Sequence, residues 1–174
     1  DFDVAVNVNG KKCNTSTLSG IYILNRHDVE QLRTFFNTRN GGKTHGELLE
    51  TSVRRFQVTN LDTWVSSQVA QFTVIGENRL KKFYLPTTNP VISGQLNLPG
   101  CKELTLVEVS NHNLTSIDLS GASADLRLYC KGNQLTSIKL SHPLKSVPRE
   151  YENPEKEINP QQAGTPDVVV TRTP

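Results

Sequence analysis

Apolar residues open the chain at every second position, Phe2, Val4, Val6 and Val8, the period of a half-buried strand. Asn9-Gly10 is a hairpin-type turn signal and Gly20-Ile21-Tyr22-Ile23-Leu24 a second β-prone run, so a hairpin is predicted over residues 2–24. The period then changes. Val29, Leu32, Phe35 and Phe36 recur at helical spacing, Asp28-x-x-Gln31 has the form of a capping box, and Asn40-Gly41-Gly42 is a stop. Together they predict an amphipathic helix over about 28–39. A second start signal, Thr44-x-x-Glu47, precedes Leu48, Leu49, Val53 and Phe56 and predicts a further helix near 45–55.

Downstream the pattern repeats. Asn111-His112-Asn113-Leu114-Thr115-Ser116-Ile117-Asp118-Leu119-Ser120 aligns with Gly132-Asn133-Gln134-Leu135-Thr136-Ser137-Ile138-Lys139-Leu140-Ser141 at an offset of 21 residues, with six of the ten positions identical. The same period places Leu96 and Leu98 with Ile117 and Leu119, and Val107 and Val109 with Leu128 and Cys130. A period of about 20 to 29 residues is that of leucine-rich repeats. Its frames read Leu80-x-x-Phe83-x-Leu85, Leu104-x-x-Val107-x-Val109 with His112 at the expected Asn, Asp125-x-x-Leu128-x-Cys130 with Asn133 in place, and a weaker Leu144-x-x-Val147. In such a frame two strand residues point into the core and the Asn satisfies backbone groups where the chain turns. Stacked copies then form one parallel sheet, since a single coil cannot bury its apolar face alone.

Over residues 104–141, and more loosely over 28–145, the chain resembles short bacterial cell-surface leucine-rich-repeat proteins of the internalin-like and Bacteroides type. The run Leu126-Arg127-Leu128-Tyr129-Cys130-Lys131-Gly132-Asn133-Gln134-Leu135-Thr136-Ser137-Ile138-Lys139-Leu140-Ser141 carries the likeness. Val29 to Gly42, Trp64 and Gly76-Glu77-Asn78-Arg79-Leu80 resemble the helical cap before the first repeat. Only Cys130 holds the strand cysteine; Leu85 and Val109 stand at the matching places. The resemblance implies an α/β chain: a short leucine-rich-repeat solenoid with a helical N-terminal cap, preceded by the β-hairpin. The expected divisions are a β segment at 1–26, a cap region at 27–79, three to four coils at 80–147 and a proline-rich tail or linker at 148–174. It also implies an exported protein, extracellular or at the cell surface, that binds macromolecules without catalysis.

Composition narrows the classes. Among 174 residues the formal net charge is +2, no methionine occurs and apolar runs stay short, which excludes a transmembrane helix and a strongly charged nucleic-acid tail. With neither a secretory signal nor an initiator methionine, the chain reads as a mature or trimmed piece. Six of the nine prolines fall within 142–174, among Glu150, Glu152, Glu155 and Glu157, a composition that favours an extended tail. Only Asp167-Val168-Val169-Val170-Thr171 suits a strand there, and a linker to another domain is the simpler expectation. Cys13, Cys101 and Cys130 lack zinc-type spacing, and Cys130 reads as a buried small hydrophobe.

Catalytic motifs are near misses. Gly42-Lys43-Thr44 lacks the earlier glycine of a phosphate-binding loop, Asn37 standing in its place, and reads as a helix stop followed by a helix start. Gly121-Ala122-Ser123-Ala124-Asp125 ends in Asp where a nucleophile elbow needs Gly. His27, His45, His112 and His142 are scattered without helical metal-site spacing, and Glu47 with Glu50 reads as a solvated helix face. Asn14-Thr15-Ser16 and Asn113-Leu114-Thr115 match glycosylation acceptors, idle in a bacterial host. No metal or cofactor is expected.

The outward positions of the frames are Lys82, Tyr84 and Pro86; Leu106, Glu108 and Ser110; Arg127, Tyr129 and Lys131. Tyr and Arg are enriched at binding hot spots, and Leu106 has no core duty in this frame. Lys82, Tyr84, Leu106, Glu108, Arg127, Tyr129 and Lys131 are therefore the expected binding residues, for a protein or glycan and not for nucleic acid. The alternative is an ordinary solvated face on a spacer that presents a neighbouring domain. Three or four strands offer a small surface, so a standard interface of about 800 Å² per partner would use nearly all of it.

Overall fold

The computed structural model describes residues 6–8, 11–13, 24–73, 76–145 and 168–173. Strands β1 (Val6–Val8) and β2 (Lys11–Cys13) pair antiparallel, as the alternation predicts; the second half of the expected hairpin lies outside the described residues up to Leu24. Helix α1 spans Arg26–Asn37 and buries Val29, Leu32, Phe35 and Phe36. Its cap differs from the sequence reading: Asn25, not Asp28, is the N-cap, and its side chain accepts from the Asp28 backbone N–H. Asp28 sits one turn inside and is fully buried.

After α1 the chain reverses through the short pair β3 (Arg39–Asn40) and β4 (Lys43–Thr44), with Gly41 at φ +70°, a conformation open to glycine at no steric cost. Helix α2 (His45–Ser52) begins with the predicted capping box: Thr44 Oγ1 accepts from Glu47 N at 3.2 Å and Glu47 Oε2 from Thr44 N at 2.7 Å. Those bonds to the charged form hold the exposed Glu47 carboxyl below the usual range. Helix α3 (Leu61–Ser66) carries Trp64 into the core. There the Phe36 ring meets Trp64 at 4.8 Å and Phe56 at 5.4 Å, while Phe35 meets Phe83 at 5.7 Å. Among the described residues, no helix is long and apolar enough to cross a membrane.

The remaining strands are β5 (Ala70–Phe72), β6 (Leu80–Tyr84), β7 (Ser93–Asn97), β8 (Leu106–Glu108), β9 (Asn113–Leu119), β10 (Arg127–Tyr129), β11 (Ser137–Leu140) and β12 (Val169–Arg172). They form two four-stranded sheets, β10-β8-β6-β5 and β12-β11-β9-β7. The second is wholly parallel; in the first β5 runs antiparallel to β6. This topology corrects the expected leucine-rich-repeat solenoid, in which the strands stack as one parallel sheet. The physical reason lies in the repeat itself. Each copy ends in an apolar pair two positions apart, Ile117 with Leu119 and Ile138 with Leu140, beside the β-branched Thr115 and Thr136, so these connections become strands in their own right. The molecule is α/β with mixed pairing, and Leu96, Ile117, Ile138, Phe83, Val107, Leu128 and Cys130 share one buried core.

Polar side chains tie the turns between the sheets. Asn133 Oδ1 accepts from Leu114 N at 3.0 Å while its Nδ2 donates to Val109 O and Cys130 O, both at 2.8 Å. His112 does the same work between β8 and β9, accepting from Ile92 N through Nδ1 and facing Leu85 O through Nε2, both at 3.3 Å. It thus stands in for asparagine, as the spacing predicts. The tail departs from expectation: Val169–Arg172 adds to β11 in parallel register instead of leading away, with Val168 and Val170 against the core. Leu144 also packs on the core, and Lys145 N donates to Leu126 O at 2.9 Å, which sets Lys145 beside Arg127; Val147 lies outside the described residues.

Candidate functional site

Inward Phe83, Val107 and Leu128 are fully buried, and a strand turns its alternate residues to the opposite face. On that face the register aligns Lys82 with Leu106 and Arg127, and Tyr84 with Glu108 and Tyr129. The structure therefore gathers six of the seven expected binding residues into two straight rows. Arg127 is exposed; Lys82, Tyr84, Leu106, Glu108 and Tyr129 are half-buried. Lys131 and Ser110 follow the strands, where Asn111 N donates to Lys131 O at 2.8 Å, and Pro86 is exposed beyond β6.

Two clefts flank the face. One, of about 450 Å³, is lined by Lys82, Thr105, Leu106, Asp125, Arg127 and Lys145. Asp125 engages Lys145 at 3.4 Å, while Lys82 and Arg127 form no ion pair among the described residues. The other, of about 420 Å³, lies where Tyr84, Pro86 and Glu108 meet Val53, Gln68 and Val69 of the helical region. Partial burial and then the nearby Glu108 carboxylate raise the Tyr84 phenol above its ordinary value, so it stays a neutral donor at physiological pH. Sequence reasoning missed Lys145 and Asp125 as lining residues; they stand at the second place of the weak Leu144 frame and the first place of the Asp125 frame, neither an outward position.

A third grouping lies outside this face. A ring nitrogen of His27, the Asp28 carboxylate and Cys101 Sγ fall within 4.8 Å of one another, a donor set that suits zinc by type. Its groups are already committed. Asp28 accepts from Arg79 Nε at 2.9 Å, Arg79 Nη2 at 2.8 Å and Leu80 N at 2.7 Å, and Arg79 donates onward to Gly100 O at 2.6 Å. His27 Nε2 lies 2.9 Å from Pro99 O. Burial, with Asp28 beside it, drives the Cys101 thiol pKa far upward, and a guanidinium next to the carboxylate opposes a cation. The grouping is a structural lock between α1 and β6. Cys130 is buried, as expected for a small hydrophobe.

The buried histidines serve the backbone. His45 lies with Nδ1 3.0 Å from Phe35 O and Nε2 3.0 Å from Ser93 O, and burial lowers its pKa against the pull of those carbonyls. His112, accepting at Nδ1, carries its proton on Nε2, and burial likewise holds its pKa below 6.5. A depressed folded-state pKa gives stability that is present above the unfolded value and is lost as pH falls through the folded one. Urea midpoints of the protein are therefore expected to drop between pH 7.5 and pH 5. His112→Asn, which offers an acceptor and a donor as Asn133 does, is expected to flatten that drop; an unchanged pH slope would remove His112 as its source.

Comparison with protein-family models, with characterised proteins and with solved structures finds no match to this chain.

Proposed function

We propose that the chain is a non-catalytic interaction module whose exposed β6-β8-β10 face binds a protein partner. The observation that carries this reading is the register, which sets Tyr84 and Tyr129 on either side of Glu108, with Leu106 half-buried in the adjoining row. Tyrosines supply large amphipathic contact area at small entropic cost and are enriched at binding hot spots. The non-catalytic reading is supported by the chemistry elsewhere: His45 and His112 are spent on backbone groups, and the Cys101 thiol is held protonated. An exported, cell-surface setting is part of the proposal and rests on the sequence resemblance over 104–141 alone.

The test is an array of surface proteins and glycans probed with the chain and with Tyr84→Ala/Tyr129→Ala, whose folding is checked by circular dichroism and urea unfolding. Loss of one hot-spot side chain costs more than about 1 kcal/mol, so affinity for any partner found is expected to fall at least about tenfold. Unchanged affinity would remove this face. Binding to glycans alone would replace the protein partner with a carbohydrate, and silence from both chains would favour a spacer.

A further inference from the structure

The face is electrically divided. In the first row Lys82 and Arg127 flank Leu106, and neither cation is paired among the described residues, whereas Lys145 alongside is held by Asp125. Adjacent strands lie about 4.8 Å apart, so the Lys82 and Arg127 backbones are roughly 10 Å apart. Two long cationic side chains converge across that span on a single oxyanion above Leu106. In the second row, two residues further along each strand, the Glu108 carboxylate stands between two tyrosines. That combination suits a cation, through charge and through the aromatic faces.

The rows are therefore opposite in sign and about 6.6 Å apart, twice the rise per residue of a strand. An extended peptide places side chains i and i+2 on one face at the same separation. Resting on the interaction reading above, we propose that this face takes an extended peptide segment bearing one acidic and one basic side chain two residues apart, laid along the strand direction. The acid lies over Leu106 between Lys82 and Arg127, and the base over Glu108. A polyanion fits less well, because Glu108 and Asp125 interrupt its path and the whole chain carries a net charge of only +2.

The experiment is an amide NMR titration of the labelled chain with four acetylated, amidated peptides: Thr-Glu-Thr-Lys-Thr, Thr-Glu-Thr-Glu-Thr, Thr-Lys-Thr-Lys-Thr and Thr-Glu-Lys-Thr-Thr. The first is expected to shift the amides of Leu106, Glu108 and Arg127 with at least tenfold greater affinity than the others, and Lys82→Gln/Arg127→Gln to abolish that preference while the fold persists. Equal affinity for all four, or no shift with any, overturns the proposal. Tighter binding of a heparin oligosaccharide through the same amides overturns it in favour of a polyanion. The two readings fail separately. A partner from the array that needs Tyr84 and Tyr129 yet binds Lys82→Gln/Arg127→Gln undiminished would sink the charge pattern alone, whereas a partner indifferent to the tyrosines would remove the face itself.

Discussion

Asp28→Ala is expected to lower the free energy of unfolding by about 3–5 kcal/mol, the loss that follows when one partner of a buried ion pair is removed. The Asp28 carboxylate is fully buried and Arg79 nearly so. Arg79 reaches both carboxylate oxygens, and the Leu80 backbone N–H shares one of them. Removing the carboxylate therefore leaves the nearly buried guanidinium with only Gly100 O at 2.6 Å and the exposed Glu77 carboxylate at 3.5 Å, and the Leu80 N–H without its acceptor, at the point where α1 meets the start of β6. Urea unfolding of three variants separates the causes. Asp28→Asn, with the shape kept and the charge lost, is expected to remain well below the parent. The double variant Asp28→Leu/Arg79→Met is expected to recover part of the loss, because an apolar pair leaves no uncompensated charge. A double variant no more stable than Asp28→Ala would place the cost in packing instead of charge.

Asn133→Ala is expected to cost about 3 kcal/mol, since it leaves the Leu114 N–H and the Val109 and Cys130 carbonyls without their side-chain partner, and each buried group left unsatisfied costs roughly 1–3 kcal/mol. Asn133→Asp makes the test sharper. It keeps the volume and the acceptor but turns a carboxylate towards two carbonyl oxygens, so its urea midpoint is expected to fall at least as far as that of the alanine variant. A mild effect of Asn133→Asp would show that shape, and not hydrogen bonding, holds this turn.

What the sequence disclosed and what it hid follow from the range of the interactions. The Thr44-x-x-Glu47 box, the α1 face and the parallel offsets were legible because each depends on neighbours or on a strict period. The two rows on the β6-β8-β10 face were legible for the same reason, alternation along a strand being local. The Asp28 assignment failed because its partner is Arg79, 51 positions away, and nothing near Asp28 distinguishes a cap from a buried ion. The second sheet was missed because the repeat template counts one strand per period, although Ile138-Lys139-Leu140 after the β-branched Thr136 already suits a short strand. The strand tendency of Asp167-Val168-Val169-Val170-Thr171 was legible, but its pairing with β11 was not, because the partner lies about 30 positions back across a proline-rich stretch.

The docking of β12 on β11 bears on the order in which the molecule assembles. Its pairing joins Ser137 to Val169 and Leu140 to Arg172, closing a longer loop than the 21-residue spacing that brings β11 to β9, and the entropy of closure grows with loop length. The inner layers can therefore stack before the final strand arrives. β12 is an edge strand with one neighbour, and Val169 on its outer face is 63% exposed. Exposed edge strands open locally at low free energy, so the parallel sheet is expected to gain this edge after its inner strands and to release it before them.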